Sequence, residues 1–558
     1  MAVDDPIEQN VPHDESQPLL KSSDSAVSNG AIENGRRDGN AEEDGNVDEV
    51  PIAKAPSTGR ILIVLGSIWI GVFFAALDST IVATLSTPIS NSFNSFTLLS
   101  WVASGFLIAN AALQPLMGKL TDIFGRRSGL VLSNLLFGVG TLICGLAKTE
   151  WQIILGRVVA GMGGGGINAI STFVASDLVP TRSRGMYQGM GNICYGLGSG
   201  LGGVFGGAMN DQFGWRSAFH FQVPFIGLTT LLVYFTIRIP TKITDKSRIK
   251  RVDFLGSITL LLSLVLLLLG LNSGGNTVPW THPLVLTTLP LSFLLLCTFI
   301  YIEDRIAPEP VIPVRLLLNR TILCACLTNW FLTMSVFSIL YYVPVYFQIR
   351  GLSPTAAGAR LIPNSIGGAL GSLTAGLVMR WTGRYYYLNA VIEAIAVASY
   401  ALIAAFFNAN LPFAPPFPIL FMSGFGYGAM LTTTLIALIS GIPHSQQAVV
   451  TSASYAFRST GSTIGITISS AVFQNVLKAQ LWARFRAQPG AEGMIRRLRD
   501  SIEEIRNVPV EWREGVLESY FSAIQGVWYV ILGTGALGAL ISLGMREYKL
   551  HTTLDRSK

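Results

Sequence analysis

The sequence predicts an all-α polytopic membrane protein. Half of the 558 residues are hydrophobic, only 13% are charged, and the mean hydropathy is +0.49. Soluble domains carry roughly 25% charged residues, so this composition excludes an ordinary water-soluble chain. The chain also contains a succession of apolar runs that reach the length of about 20 residues needed to cross a bilayer as a helix. We therefore expect spanning helices surrounded by lipid.

Residues 1–55, which precede the first apolar run, are expected to form a disordered acidic tail. Their first 50 residues contain thirteen Asp and Glu against three Lys and Arg, without apolar periodicity. Such a segment buries too little apolar surface to offset the entropy lost on ordering. Within it, Glu15, Leu19 and Leu20 have the spacing of an acidic dileucine sorting signal, which a sorting adaptor would bind. A chance match is an equal alternative.

Fourteen membrane spans are expected after this tail. The apolar runs lie at 61–89, 99–117, 128–147, 151–176, 186–208, 218–238, 254–272, 283–303, 321–347, 356–379, 386–407, 417–440, 448–475 and 521–543. We group them as a six-span bundle at 56–240, two inserted spans with their linkers at 241–318, a second six-span bundle at 319–545 and a final tail at 546–558. Residues 476–520 are expected to form an extracytosolic loop containing a short amphipathic helix around Leu498, Ile502 and Ile505.

Basic residues predict the orientation of these spans. Lys and Arg are concentrated in alternate connections, whereas connections such as 90–98, 273–282 and 408–416 contain none. Because basic connections face the cytosol, the connection after span two and both chain termini are expected to be cytosolic. The same rule explains the net charge of +6 better than nucleic-acid binding does.

The connection between spans two and three is expected to be a tight loop. It reads Gly118-Lys119-Leu120-Thr121-Asp122-Ile123-Phe124-Gly125-Arg126-Arg127, with a glycine near each end and one carboxylate among the basic residues. This decapeptide resembles the signature loop of the major facilitator superfamily. The resemblance implies a gate in which Asp122 pairs with Arg126, Arg127 and their neighbours. Alternatively, the two arginines serve only to anchor the orientation.

Further motifs extend the resemblance over residues 56–545. A weaker echo of the loop runs from Gly376 to Arg384, and span thirteen contains Phe457-Arg458-x-x-Gly461. Together they resemble the fourteen-span drug:proton antiporter family, and most closely its fungal multidrug exporters and vacuolar basic amino acid transporters. The resemblance implies a major facilitator fold, in which two six-helix bundles flank the inserted pair.

Glycines in spans four and five are the next feature of that family. We expect the small residues to allow close helix packing, and the positions singled out are Gly161, Gly198, Gly202 and Gly203. The glycines of span five resemble an antiporter element, which implies exchange with protons. Ser199-Gly200-Leu201 stands where that element usually has a proline after a glycine. A role in packing alone is the alternative.

Four intramembrane charges are candidates for function, since such groups are costly to bury. By helical rise, Asp78 lies about 26 Å and Arg157 about 21 Å from the cytosolic side, so we expect them to pair and to handle the proton. A purely structural ion pair, or an Asp78 at the wet outer interface, is the alternative. Glu393 is a candidate second proton or cation site, unless the span boundary is misplaced. Arg458 is a further charge of the second half.

The sequence favours a proton-coupled antiporter that exports small organic or cationic solutes, above all multidrug-type efflux from a plasma or vacuolar membrane. The alternative is a vacuolar membrane transporter for basic amino acids, and a third hypothesis is a sensor that has this fold but does not transport. No ATP-binding loop is present. The cysteines lie in apolar runs without metal-ligand spacing, so no metal site is expected. None of the five histidines forms a paired motif within the spans, so we expect neither an enzyme nor a cofactor. We expect a monomer.

Overall fold

The computed structural model describes most of the chain after the acidic tail. The described residues are 57–93, 97–179, 181–237, 253–274, 278–307, 314–352, 354–408, 416–488, 490–500, 504–505, 508–548 and 550. Apart from an isolated bridge between Gly274 and Val278, the regular structure in these ranges is helical. The tail with its predicted sorting signal lies outside the described residues.

Seventeen helices are found in the described ranges, and three of them are short. They are α1 (Thr58–Phe93), α2 (Thr97–Phe124), α3 (Arg126–Leu146), α4 (Glu150–Leu178), α5 (Thr181–Phe213), α6 (Trp215–Thr236), α7 (Phe254–Ser273), α8 (Pro283–Arg305), α9 (Val314–Leu317), α10 (Arg320–Ile349), α11 (Pro354–Ala359), α12 (Ile362–Thr382), α13 (Tyr386–Phe406), α14 (Pro416–Ser440), α15 (His444–Phe485), α16 (Ala491–Asp500) and α17 (Val510–Ser542). The three short ones are α9, α11 and α16.

The long helices confirm an all-α membrane architecture. In the described residues, eleven helical segments are both long and apolar enough to cross a bilayer. The long helices α2, α5 and α15 are not among the eleven, so hydropathy alone does not establish all fourteen spans. With these three, the count of long helices equals the predicted fourteen.

Local sequence explains where several of these helices start. The Thr149 side chain accepts a hydrogen bond from the Gln152 amide, and the Gln152 side chain accepts one from the Thr149 amide, which caps α4. Asp253 caps α7 in a similar way through the Gly256 amide. Gly125 and Gly214 have positive φ values of 95° and 81°, a conformation that glycine adopts without strain, and each separates two helices by a single residue.

Two apolar cores divide the helices into groups. One core contains only residues between Ile61 and Ile237, and we call α1–α6 the first helix group. A second core contains residues between Leu332 and Ile531, and we call α10–α17 the second helix group. Contacts between helices repeat: α1 packs on α5 and α6 as α10 packs on α15 and α17, and α3 packs on α4 and α6 as α13 packs on α14 and α17. The predicted domain boundaries stay a prediction.

The two groups meet along a seam formed by α2 with α15 and by α5 with α12. The hairpin of α7 and α8 lies beside one of these contacts, because α7 packs on both α2 and α15. Leu260 and Leu264 of α7 share a small apolar cluster with Leu116 of α2 and Ala453 of α15. The inserted pair therefore covers the α2–α15 part of the seam.

The region predicted as the extracytosolic loop 476–520 is more helical than expected. Helix α15 continues to Phe485 and α17 begins at Val510, so both ends of the predicted loop are helical. The charged residues there occupy exposed helix faces. They interrupt the apolar runs in the sequence, so these segments were predicted as loop.

A short helix, α16, lies within this region, and of the three apolar residues named for the predicted amphipathic helix it contains only Leu498. Ile505 lies beyond its end and Ile502 lies outside the described residues. Leu498 is buried, and its carbonyl accepts a hydrogen bond from the Tyr520 hydroxyl.

Candidate functional site

Asp78 of α1 and Arg157 of α4 form a buried ion pair inside the first helix group. The Arg157 Nη1 donates to Asp78 Oδ2 at 2.5 Å, and the two side chains are 2% and 0% exposed. Arg157 Nε also donates to the Val102 carbonyl at 3.2 Å, and the guanidinium lies 4.2 Å from the centre of the Phe106 ring. The contact agrees with the pairing predicted from depth; the proton role of the pair stays a prediction.

The pair is incompletely satisfied on the acidic side. Asp78 Oδ1 is buried and has no hydrogen-bond partner among the described residues. Tyr341 of the second helix group lies within electrostatic range of Arg157 and is 38% exposed. Asp78 therefore retains one oxygen that could accept a proton or a hydrogen bond.

The predicted gate sequence is helical rather than a loop. Helix α2 continues through Gly118 and Asp122 to Phe124, and only Gly125 separates it from α3. This corrects the expectation of a ten-residue loop with a turn at each glycine. Asp122 and Arg126 lie four positions apart on either side of this one-residue break and pair at 2.6 Å, which holds the two helices together there.

Arg126 is the centre of a charge cluster at this turn. Its Nε donates to Asp177 of α4 at 2.9 Å, its Nη1 donates to the Thr121 hydroxyl at 2.6 Å, and Asp122 accepts from its Nη2. Arg127 contributes differently, because its guanidinium stacks 3.9 Å from the centre of the Tyr234 ring of α6. The cluster links α2, α3 and α4, whereas Arg127 links α3 to α6.

The seam is bridged by hydrogen bonds near the same end of the molecule, which we call the Gly125 end. Arg184 of α5 donates to Gln447 of α15 at 2.7 Å, and Gln447 in turn donates to the Ile439 carbonyl. At greater depth, Asn192 donates to Ser372 at 2.7 Å. The helices also approach closely here: a Cβ on Gly376 of α12 would overlap the backbone of Gly185 of α5. The Gly125 end of the seam is closed in this structure.

A small polar pocket lies at the seam above this closure. Its lining includes Gln188 and Asn192 from α5, and Asn329, Ser454, Tyr455 and Arg458 from the second group. Its volume of about 10 Å³ has room for roughly one water molecule. The Tyr455 hydroxyl lies 2.7 Å from that of Thr172 of α4, so its wall is hydrogen bonded across the seam.

Arg458 supplies the charge of this pocket. Its guanidinium lies 4.7 Å from the centre of the Tyr455 ring and is hydrogen bonded to the Tyr427 side chain, and Tyr195 is a further electrostatic neighbour. Its Nε has no hydrogen-bond partner among the described residues.

Glu393 lies on α13, inside the second helix group. The residue is 2% exposed, and both carboxyl oxygens lack a hydrogen-bond partner within the described ranges. Its electrostatic neighbour is Tyr400, which lies about two helical turns further along the same face of α13. Asp78 forms an ion pair with Arg157, whereas Glu393 forms no ion pair within the described residues.

The four glycines predicted to pack helices differ in their surroundings. A Cβ on Gly161 would overlap the Phe106 backbone, one on Gly198 the Phe73 carbonyl, and one on Gly202 the Thr80 hydroxyl. At Gly203 the nearest atom would be 3.3 Å away, on Thr84. The first three positions therefore require a residue without a side chain, whereas Gly203 is less restricted.

Several residues of the site were not predicted from the sequence. Asp177 lies at the end of a long apolar run and belongs to no motif. Its position beside a basic connection was the one signal that could have indicated a partner for Arg126. The pocket residues Gln188, Asn192 and Asn329 are uncharged and carry no local signal. They come together only when α5, α10 and α15 pack.

Comparison with known proteins extends these observations. Residues 68–466 match a family model described as Major Facilitator Superfamily. The chain is 39% identical over 502 residues to "Multidrug resistance protein fnx1" of Schizosaccharomyces pombe, covering 88% of this chain and 94% of that protein. It is 37% identical over 481 residues to "Vacuolar membrane amino acid uptake transporter fnx2" of Schizosaccharomyces pombe, covering 84% and 81% of the two chains.

Solved structures share the fold at low sequence identity. The crystal structure of the human organic anion transporter MFSD10 aligns with a TM-score of 0.57 and 14% identity, covering 87% of this chain and 100% of that chain. The proton:xylose symporter XylE aligns with a TM-score of 0.55 and 14% identity, covering 87% and 95%. At this identity the likeness concerns the fold alone.

Proposed function

The chain belongs to the major facilitator superfamily and is a multi-pass membrane transporter, and from that premise we propose that it exports small organic solutes from the cytosol in exchange for protons. Multidrug-type efflux is the leading activity, because the relative named for multidrug resistance is 39% identical over most of both chains. The coupling ion, the direction and the residues below are parts of the proposal.

The buried Asp78–Arg157 pair is the observation that carries proton coupling. A carboxylate beside an arginine keeps its charge while the pair is closed, and favours taking up a proton when the pair separates. Oδ1 of Asp78, which has no hydrogen-bond partner in the described residues, is the oxygen that would take up that proton. Because Tyr341 of the second helix group lies within electrostatic range of Arg157, a movement between the groups would change the electrostatic surroundings of the pair.

The Gly125 end supplies the gate in this proposal. Arg126 ties α2, α3 and α4 together, and the Arg184–Gln447 bond ties the two groups to each other. If the Gly125 end faces the cytosol, as the basic residues predict, this structure is closed to the cytosol. Opening requires the loss of the bonds across the seam, while the bonds of Arg126 within the first group can persist.

Glu393 is proposed as a second site that holds a proton. A buried carboxylate without a cation or a donor is costly, so we expect the side chain to be neutral in this state. Exchange of its proton would require a conformation in which water or a cation reaches α13.

Uptake of basic amino acids into a vacuole is the second candidate function. It is supported by the 37% identity to the relative named as a vacuolar amino acid uptake transporter. A sorting adaptor bound to Glu15, Leu19 and Leu20 would direct the chain to such a membrane. Imaging a fluorescent fusion tests this: an unchanged location after Leu19→Ala and Leu20→Ala removes the sorting signal from the proposal.

Transport by the purified protein in liposomes tests both functions. A pH gradient is imposed, and the movement of labelled tetraphenylphosphonium, a hydrophobic cation, is compared with that of labelled arginine. Gradient-driven movement of the hydrophobic cation supports efflux, whereas movement of arginine alone supports the second function. Asp78→Asn should abolish the dependence on the gradient, and Asp211→Asn, which alters an exposed acid at the far end of α5, should not. Proton-driven transport by Asp78→Asn at the unmodified rate removes Asp78 from the mechanism.

A further inference from the structure

The polar pocket at the seam contains the Arg458 guanidinium, for which the described residues supply no counter-charge. We propose that Arg458 binds a carboxylate of the transported molecule, so that the substrates are solutes bearing a carboxylate, such as free amino acids. The inference rests on the proposed transport function and assigns a substrate class to it. It also narrows the small organic or cationic solutes expected from the sequence to those that carry a carboxylate.

The surroundings of Arg458 carry the charge argument. It is the single charged residue among those that line the pocket, and its electrostatic neighbours are three tyrosines. No ion pair involves it within the part of the chain that the structure describes. Arg157, the comparable charge in the first group, has Asp78 at 2.5 Å. A lone guanidinium is expensive to hold at this depth and cannot shed its proton, so a ligand of opposite charge would offset much of that cost.

The hydrogen-bonding state of the pocket points to the same group. Arg458 Nε is a buried donor without a partner in the described residues. Neighbouring donors are already used: Asn329 Nδ2 donates to the Ala325 carbonyl at 2.9 Å and to Thr434 at 3.1 Å, and Asn192 Nδ2 donates to Ser372. The planar guanidinium matches a carboxylate, which can accept two parallel hydrogen bonds from it.

The position of the pocket connects binding to the seam. Gln188 and Asn192 belong to the first helix group, whereas Arg458 and Tyr455 belong to the second. The pocket is too small for an amino acid in the closed state, so the ligand must enter when the groups separate. A carboxylate on Arg458 would then be enclosed as the Tyr455–Thr172 contact re-forms.

Equilibrium binding to the purified full-length protein in lipid nanodiscs tests the proposal. The probes are the standard amino acids and aliphatic dicarboxylates, the methyl esters of arginine and lysine, and tetraphenylphosphonium. We expect at least one free carboxylate to bind, and its methyl ester to bind about 10- to 100-fold more weakly, as loss of a charged hydrogen bond predicts. Arg458→Gln should remove that difference, and Arg458→Lys should retain part of it. Arg486→Gln, at the exposed position that directly follows the same helix, is the control and should behave as the unmodified protein.

The opposite results overturn the assignment. Equal binding of an amino acid and its ester, an acid-to-ester ratio unchanged by Arg458→Gln, or no binding by any carboxylate would each exclude it. If only tetraphenylphosphonium binds, the carboxylate site is excluded but the proposed efflux is not. The proposed function itself fails if the protein shows no gradient-driven transport in liposomes. If Arg458→Gln does not elute as a monodisperse protein, the comparison rests on Arg458→Lys, which must lower the acid-to-ester ratio.

Discussion

The two helix groups repeat the same packing but treat buried charge in opposite ways. In the first group, Asp78 and Arg157 come from different helices and neutralise each other at 2.5 Å. In the second, Glu393 is buried and Arg458 half-buried, and neither has an opposite charge beside it among the described residues. A neutral pair stabilises a fixed arrangement until it is separated, whereas an isolated charge is available to a ligand or a proton. The difference suggests that the first group holds the conformational switch and the second group the binding contacts.

Breaking the first pair should give the largest effect. Asp78→Ala leaves a guanidinium that cannot lose its charge, and should lower the free energy of unfolding by about 3–5 kcal/mol. Arg157→Met should cost less, because Asp78 can take up a proton. Equilibrium unfolding in mixed micelles measures both.

The double variant Asp78→Ala with Arg157→Met supplies the control for this pair. It should recover much of the stability lost by Asp78→Ala, since no charge is left buried. A double variant no more stable than Asp78→Ala would show that packing rather than charge dominates the site.

The two turns that begin with the same motif offer the next comparison. Arg126 bonds to both Asp122 and Asp177, whereas Arg384, in the corresponding turn of the second group, is exposed. Arg126→Gln should therefore lower the free energy of unfolding by about 1.5–3 kcal/mol. Arg384→Gln should change it by no more than about 0.5 kcal/mol. Equal losses in thermal unfolding would contradict the asymmetry between the groups.

The seam itself can be tested through its glycines. A Cβ on Gly376 would overlap the Gly185 backbone, whereas on Gly368 of the same helix the nearest atom would be 3.5 Å away. Gly376→Ala should weaken the closed state by about 1–3 kcal/mol. To measure this, Thr451, which lines the pocket, is replaced by cysteine in a chain without the native cysteines. Maleimide should label this cysteine faster in the Gly376→Ala variant than in the unmodified protein. Gly368→Ala should label at the unmodified rate, and equal rates for both variants would mean that the seam does not open there.

Glu393→Gln should have a much smaller effect on stability than Asp78→Ala. The carboxyl group has no partner to lose, and the amide has nearly the same shape, so the free energy of unfolding should change by less than about 1 kcal/mol. A loss comparable to that of Asp78→Ala would show that Glu393 is ionised and paired. Unchanged stability with a changed dependence of transport on the pH gradient is the outcome expected of a second proton site.

Most of the fold was accessible from the sequence because the bilayer restricts it. Apolar length places the helices, and the structure confirms an all-helical membrane protein of the superfamily indicated by Gly118–Arg127. Where polar residues occupy exposed helix faces, the same rule failed, as at 476–485 and 510–520. It also interpreted the signature decapeptide as a loop, although only Gly125 breaks the helix.

The candidate site was accessible only in part. Depth along two helices was enough to pair Asp78 with Arg157, because helical rise converts residue number into distance. Depth along a helix does not give the rotation of that helix about its axis. It therefore could not predict that no cation lies beside Glu393 among the described residues. It also could not identify Asp177 as the second acceptor of Arg126.

The sequence by itself determined the class of the protein, since hydropathy, basic connections and one decapeptide each act locally along the chain. The tertiary structure alone decided which charges are compensated and which uncharged groups share the pocket. Asn192, Thr172 and Arg458 are far apart in sequence, and only the packing of α4 and α5 against the second group brings their hydrogen-bonding groups to one seam. Compensation of a buried charge depends on distances of a few ångströms between different helices, and the rotation and tilt that set those distances come from packing.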